Sequence, residues 1–312
     1  LNMDMFDHIL SSRIKTMREY DLIIIGGGAS GLLSAINGKK DGIENILLVE
    51  KDPILGGALN SADYNISEKG NLTGIEYKEN LLKEFNELNI DVKLNTMVLK
   101  IEDSNEILCT SSEYGVEKIK GKNIIIANGG KEKSRNAVQI PGDRTAGVLT
   151  VGMAKKIFGI KNMVPGKNIF IVGDSTLYMI QEDLKKHNIK VSGIITDKNK
   201  NEVFDLSENL YPGYEIVSIH GEGRVSSVTI KNGDEKKNIK CDTVIFAYPM
   251  ISDGLVALRS GLKLNPSTTG PAVDENLETS SKNIYACGNA IYIHKLIEEI
   301  EDECKKLIKT IS

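Results

Sequence analysis

The sequence predicts an α/β protein built from tandem Rossmann-like, doubly wound units. Three observations carry that expectation. Residues 21–50, DLIIIGGGASGLLSAINGKKDGIENILLVE, run from an apolar strand through a glycine loop and a helix-compatible segment to a second strand ending in an acid. The same plan recurs, in weaker form, from Asn168. Both copies continue through alternating segments to a closing apolar strand, NIIIA in one and TVIFA in the other. Strands alternating with helices in this order build parallel sheets covered on both faces.

The first loop, Gly26-Gly27-Gly28-Ala29-Ser30-Gly31, is a dinucleotide-binding fingerprint in its expected context. Gly26 permits the tight turn, Gly28 lets backbone approach a pyrophosphate, and Gly31 lets the helix lie close on the strand. The phosphates then meet the N–H groups of the helix N-terminus. Glu50, 24 residues past Gly26, stands where a carboxylate takes ribose hydroxyls. A purely structural glycine turn leaves Glu50 unexplained.

Each remaining element has its own signal. Leu72–Asn89 carries helical spacing at Leu81, Leu82, Phe85 and Leu88, with Thr73 as a cap. Ile90–Leu94 reads as a short strand, and Met97–Glu102, Glu106–Ser111 and Val116–Lys120 as an antiparallel meander. Asn123–Ala127 closes the unit at Asn128-Gly129-Gly130. In the second copy Asn168–Val172 is the strand before Gly173, Ser175–His187 the helix and Val191–Thr196 the second strand. Glu215–His220, Val225–Lys231 and Glu235–Lys240 form its meander, and Thr243–Ala247 closes it. The apolar run Leu296–Ile300 suggests a last helix.

The copies are unequal. Ala127 lies 101 residues past Gly26, whereas Ala247 lies 74 past Gly173. The shortfall lies between the second strand and the meander. Gly173 is followed by Asp174, Ser175, Thr176, Leu177 and Tyr178, so the fingerprint is lost and side chains crowd the phosphate approach.

Composition bounds the rest. With 312 residues the chain holds about two domains. A net charge of −4 without basic runs argues against nucleic acid and anionic membranes. No apolar run approaches the ~20 residues of a membrane-spanning helix. The first residues lack a signal-peptide core. Met17 directly precedes the first strand, so residues 1–16 read as an N-terminal extension. Cys109, Cys241, Cys287 and Cys304 are widely spaced, with no C-x-x-C or metal-ligand pattern, which suits a reducing cytoplasm. Cys287 reads as a buried small residue with no partner cysteine. His8, His187 and His220 have no constellation around them.

The segment 262–296, LKLNPSTTGPAVDENLETSSKNIYACGNAIYIHKL, completes a resemblance. With the N-terminal unit, it is similar to the pyridine nucleotide-disulfide oxidoreductase superfamily of two-dinucleotide-binding-domain flavoproteins. Val273-Asp274-Glu275, Thr279 and Ile284-Tyr285-Ala286-Cys287-Gly288-Asn289 match that family's C-terminal return. Leu55-Gly56-Gly57 matches its second FAD loop and Ala127-Asn128-Gly129 its "ATG" turn. The segments LGGALN, LTGIEY, ANGGKEKSRNAVQIPGDRTAGVLTVGMAKKI, MVPGKN and GPAVDENLETS resemble a disulfide-lacking subgroup. That subgroup comprises flavoproteins associated with anaerobic glycerol-3-phosphate dehydrogenase, and sarcosine oxidase alpha-type and cyanide synthase-type subunits. The chain departs from the family in Asn289 for an acid, Ser61-Ala62 where relatives can carry a cysteine, and the short second unit.

The resemblance implies an FAD-binding domain of residues 17–147 and 249–312, with a shortened NAD(P)-type domain, 148–248, inserted. It implies FAD at Gly26, Gly28, Ser30, Gly31, Glu50, Lys51, Gly57, Val98, Ala127, Gly129, Gly288 and Asn289. Lys51 reads equally as solvated and Val98 equally as strand core. His294, before the last helix, is the candidate proton donor or cation beside the flavin; it also reads as a surface histidine at a helix start. The implied activity is an FAD-dependent oxidoreductase moving hydride or electrons without a redox disulfide. NADH, NADPH or neither is left open as donor, as are small-molecule or protein partners and a homo-oligomer. The alternative is an electron-transfer or scaffold subunit of a multi-component, glycerol-3-phosphate dehydrogenase-like complex with no NAD(P)H site of its own.

Overall fold

A computed structural model describes residues 19–133, 139–159, 163–198 and 206–312. The expected extension, 1–16, lies outside these residues. The chain folds as two units: the first runs to Lys131 and resumes at Ile251–Ser312, and the second is Glu132–Met250. The first crossing therefore precedes the expected one at 147. Residues 139–147 belong to the second unit because their backbone pairs there, with Asp143 N–H on Ile219 O at 2.8 Å and Ala146 N–H on Gly223 O at 2.9 Å.

The chain opens with β1 (Glu19–Ile25), α1 (Ala29–Lys40) and β2 (Ile46–Val49). α2 (Gly74–Asn86) follows, and the predicted cap is present: Thr73 Oγ1 accepts from Glu76 N–H while the Glu76 carboxylate accepts from Thr73 N–H. Then come β3 (Asp91–Lys93), β4 (Thr96–Glu102), β5 (Glu106–Ser111), β6 (Gly115–Ile126) and β7 (Gly130–Lys131). One expectation fails here, since the third meander strand and the closing strand are a single strand. The first half of β6 pairs antiparallel with β5 and its second half parallel with β1, because the strand stays extended through Gly121-Lys122-Asn123, from the alternating VEKIK to the fully apolar III.

The second unit holds β8 (Val148–Thr150), α3 (Val151–Phe158), β9 (Asn168–Val172), α4 (Gln181–Lys186) and β10 (Lys190–Ile195). A ribbon of β11 (Glu215–Glu222), β12 (Arg224–Asn232) and β13 (Glu235–Lys240) precedes β14 (Thr243–Phe246). The chain returns to the first unit as β15 (Ile251–Ser252), α5 (Leu255–Arg259), β16 (Ile284–Ala286) and α6 (Ile297–Ile311).

In the first sheet the order is β3-β2-β1-β6-β5-β4, with β16 parallel to β6; in the second it is β10-β9-β14-β8. Alternation along β1 splits the core. Leu22 and Ile24 pack with Leu32, Ile36, Leu307 and Ile308 of α1 and α6, while Ile23 and Ile25 pack with Val98, Ile107 and Ile119 of the meander. β9 does the same in the second unit: Ile169 and Ile171 meet α3, and Phe170 and Val172 meet the ribbon. Burial of each such side chain contributes about 1.5–3 kcal/mol.

The predicted helix Ser175–His187 is only partly formed, as a 3₁₀ turn at Leu177–Met179 and then α4. α1 shows the physical reason. A Cβ on Gly31 would lie 1.8 Å from Gly26 O, so a helix starting at this loop needs glycine there. Tyr178 stands at the equivalent step, and the helix is postponed.

Candidate functional site

The site of the first unit is built around the loop between β1 and α1. Gly26 takes φ +108°, and its N–H donates to Val49 O at 2.8 Å. A Cβ there would meet Ala127 O at 2.5 Å, so the predicted Ala127 turn and the glycine loop are one packed structure. Gly27 N–H donates to Glu50 Oε2 at 2.6 Å, and Glu50 Oε1 accepts Asp52 N–H at 2.8 Å. Glu50 is buried, with both oxygens held by backbone.

Gly28 is different. The nearest atom to a Cβ built on it is Gly57 Cα, at 4.0 Å, so the protein leaves space in front of this loop. The second loop closes against it through Gly56 N–H on Gly27 O at 2.8 Å, and Gly57 adopts φ +52°. The first hydrogen bond of α1 is Leu32 N–H to Gly28 O. The preceding N–H groups, those of Ala29, Ser30 and Gly31, have no acceptor within the helix, which is what helix N-termini offer to anions.

The structure brings most of the sequence-predicted residues together. Gly288, at φ +62°, leaves no room for a side chain, since its Cβ would lie 1.8 Å from Ser30 Oγ. The C-terminal return is thereby locked onto the first turn of α1. Asn128, beside Gly129, gives its amide to Asp253 O at 2.9 Å, while its buried Oδ1 has no partner among the described residues. Val98 is a buried strand residue two places past Thr96, whose N–H donates to Glu50 O at 2.9 Å. Lys51 is exposed and pairs with Asp52 at 2.9 Å, the solvated alternative.

A cofactor with a pyrophosphate and a ribose fits these groups. The space kept at Gly28, the open helix N-terminus, the Glu50 carboxylate and the unpartnered Asn128 oxygen are what such a group would use.

His294 is not a surface residue. Its backbone N–H donates to Asn289 Oδ1 at 2.9 Å, and its Nε2 lies 3.4 Å from Glu303 Oε2. Glu303 Oε1 accepts the Gly288 N–H. Burial works against the imidazolium, but the hydrogen bond and charge of Glu303, with the charge of Glu299, outweigh it and hold His294 above its ordinary value. Glu303 was missed by motif reasoning. Its signal is an acid three residues after Ile300 and four before Leu307, half-buried beside the stripe that α6 buries.

Cys287 does have a neighbouring cysteine, which corrects the expectation. The Cys304 thiol hydrogen-bonds it and, together with burial, pushes the Cys287 thiol well above its usual range. Ser34 Oγ lies 3.7 Å from Cys287 Sγ, and Cys304 Sγ donates to Ser30 O at 3.5 Å. All four cysteines are free and buried.

The second unit repeats part of the backbone of this site with different side chains on it. Gly173 N–H donates to Ile195 O at 2.9 Å, as Gly26 does to Val49 O, so Thr196 falls where Glu50 stands. Thr196 Oγ1 donates to Asp174 Oδ2, and Lys198 pairs with Asp174 Oδ1 at 3.0 Å. A carboxylate thus faces inward from the loop itself, and no helix N-terminus opens at it. Among the described residues no cluster of His, Cys, Asp or Glu could hold a metal ion, and no helix is long and apolar enough to cross a membrane.

The fold and this loop define a flavoprotein of the two-dinucleotide-domain class, and the pyridine nucleotide-disulphide oxidoreductase profile matches residues 20–177 and 200–306. The chain belongs to that family and is an FAD-dependent oxidoreductase. It is 21% identical to a ferredoxin--NADP reductase of Picrophilus torridus, over 88% of this chain and 86% of that one. It is 26% identical to hydrogen cyanide synthase subunit HcnB of Pseudomonas protegens, over 80% of this chain and 60% of that protein. The structure of T. acidophilum thioredoxin reductase aligns with a TM-score of 0.73 at 19% identity, covering 94% of this chain and 98% of the other.

Proposed function

We propose that the protein moves hydride or electrons through FAD held in the first unit, with no cysteine pair relaying them, and that a protein or small-molecule carrier exchanges electrons with it. The observation that carries this reading is the Gly26–Gly31 loop, with Glu50 fixed on Gly27 and Asp52 N–H groups. The flavin, when bound, supplies the redox chemistry. The chain supplies phosphate-facing N–H groups, a ribose-facing carboxylate, and in His294 a group able to hold or move a proton at the Gly288–Asn289 loop. The ferredoxin--NADP reductases among its relatives support NADPH and a ferredoxin-like carrier as its partners. Free thiols also support a reducing, cytoplasmic setting.

A second reading is favoured by Asp174, Thr196 and the postponed helix of the second unit. In it the chain is an electron-transfer or scaffold subunit of a multi-component dehydrogenase, of the glycerol-3-phosphate dehydrogenase-associated or HcnB kind, with no NAD(P)H site. Anaerobic stopped-flow at the flavin band separates the two. Bleaching by NADH or NADPH supports the first. Bleaching by dithionite but by neither nucleotide supports the second. Protein that takes up no FAD overturns both.

A further inference from the structure

We propose that Glu303 is a positioning residue for the cofactor-facing loop 287–294: one carboxylate oxygen fixes the Gly288 N–H and the other holds the His294 ring, so that Gly288 and Asn289 face FAD in one conformation. This rests on FAD occupying the first unit.

The loop needs such an anchor. Gly288 sits at φ +62° directly against Ser30 of the first turn of α1, with no room even for a Cβ. Its other ties are Cys287 N–H on Ile126 O at 3.1 Å, before it, and Ile291 and Tyr292 N–H on its own carbonyl at 3.0 and 3.3 Å, after it. Only Glu303 holds the Gly288 N–H among the described hydrogen bonds. The same carboxylate reaches Asn289 indirectly, because His294 Nδ1 lies 3.3 Å from the Asn289 Oδ1 that also accepts His294 N–H. A half-buried carboxylate beside the apolar stripe of an amphipathic helix is costly unless its oxygens are engaged. Here both are, and both engage the loop rather than other residues of the core.

The groups facing the pair are few. Glu299 lies on the same helix, one turn before Glu303, and uses its own carboxylate to cap α6 at Lys295 and Leu296 N–H. The Tyr292 ring meets His294 edge-on at 5.6 Å. Cys287 and Ser30 line the strand and α1 sides.

The test uses the full chain stripped of flavin. FAD affinity is measured by fluorescence quenching, and the His294 titration by NMR, with His294→Gln assigning the signal. Glu303→Ala should weaken FAD binding about tenfold or more, the loss of a hydrogen bond to a charged group. Glu303→Gln, whose amide oxygen still accepts the Gly288 N–H, should stay within about threefold of the parent. The His294 midpoint should fall in both variants. Wild-type FAD affinity in Glu303→Ala, or an unmoved His294 midpoint in Glu303→Gln, overturns the proposal; should the alanine variant fail to fold, the glutamine variant's midpoint decides. A parent protein that binds no FAD overturns the functional reading itself, whereas a parent that binds while the variants change nothing overturns only the role of Glu303.

Discussion

Thr196 stands in the second unit at the strand-end position that Glu50 takes in the first, each directly after the residue whose carbonyl receives the loop glycine's N–H. In the first unit the acid lies on the strand and accepts from the loop; in the second the acid, Asp174, lies on the loop and accepts from the strand-end hydroxyl. The same backbone thus offers donors to an anion in one unit and a carboxylate in the other. Copying the second arrangement into the first should therefore remove the cofactor. Glu50→Thr is expected to weaken FAD binding by more than about tenfold, read by fluorescence titration of the apoprotein. Affinity equal to the parent's would sever Glu50 from the site.

The glycines of the loop should separate folding from binding. Gly31→Ala places a methyl 1.8 Å from a backbone oxygen that has no freedom to move, and should destabilise by about 3 kcal/mol or more in urea melts. Gly28→Ala meets nothing closer than 4.0 Å and should fold normally yet bind FAD poorly, because the methyl enters the space the cofactor needs. Equal melting losses in the two variants would contradict this division.

The His294–Glu303 pair predicts a pH dependence. His294 is raised above its ordinary value, so the folded state holds its proton more tightly than the unfolded chain does. Its contribution is fully present below the ordinary value of 6.5 and is lost as pH rises through the folded value. His294→Gln should therefore cost more stability at acidic than at alkaline pH. Chemical melts of both proteins across that window give the measurement, and a constant difference would count against the pairing.

The thiols should be silent in the native state. Burial, with nearby Glu117, pushes Cys109 up to about 11, and burial, with Asp242, pushes Cys241 up to about 12. Cys287 is raised by Cys304 and by burial. Iodoacetamide at pH 8 should add nothing to the folded protein over minutes, and should add to all four cysteines in denaturant, by intact mass. Rapid native labelling of Cys287 would show that its thiol is accessible and reopen a relay through it.

The ion pair beneath α3 gives a stability check on the second unit alone. Lys155 is buried and pairs with Asp183 at 2.5 Å. Lys155→Met strands the carboxylate and should cost about 3–5 kcal/mol, whereas Lys155→Met with Asp183→Leu should recover most of it. A double variant as unstable as the single one would show that packing, not charge, holds this interface.

Local patterns were legible in the sequence because their causes are local. The fingerprint glycines and the Thr73–Glu76 cap depend on residues within one or two turns of each other, and the strand-end acid stands at the fixed spacing of one strand–helix–strand unit. β6 misled, since nothing between Val116–Lys120 and Asn123–Ala127 reveals that one strand serves both a meander and a parallel sheet; its partners decide that. The second helix misled for a different reason. Ser175–His187 has helical composition, but Tyr178 cannot occupy the place that only a glycine fits, and that limit becomes visible only when the strand lies beside it.

By itself the sequence determined the tandem α/β plan, the dinucleotide loop at Gly26–Gly31 and the inequality of the two copies, all through short-range spacing and side-chain volume. Only the tertiary structure decided that Glu303 reaches Gly288 and His294, that Cys304 lies against Cys287, and that Asp174 turns toward Thr196. Those pairs meet because α6 and β10 pack where the sheets place them, and hydrogen bonds between distant segments leave no periodic trace along the chain.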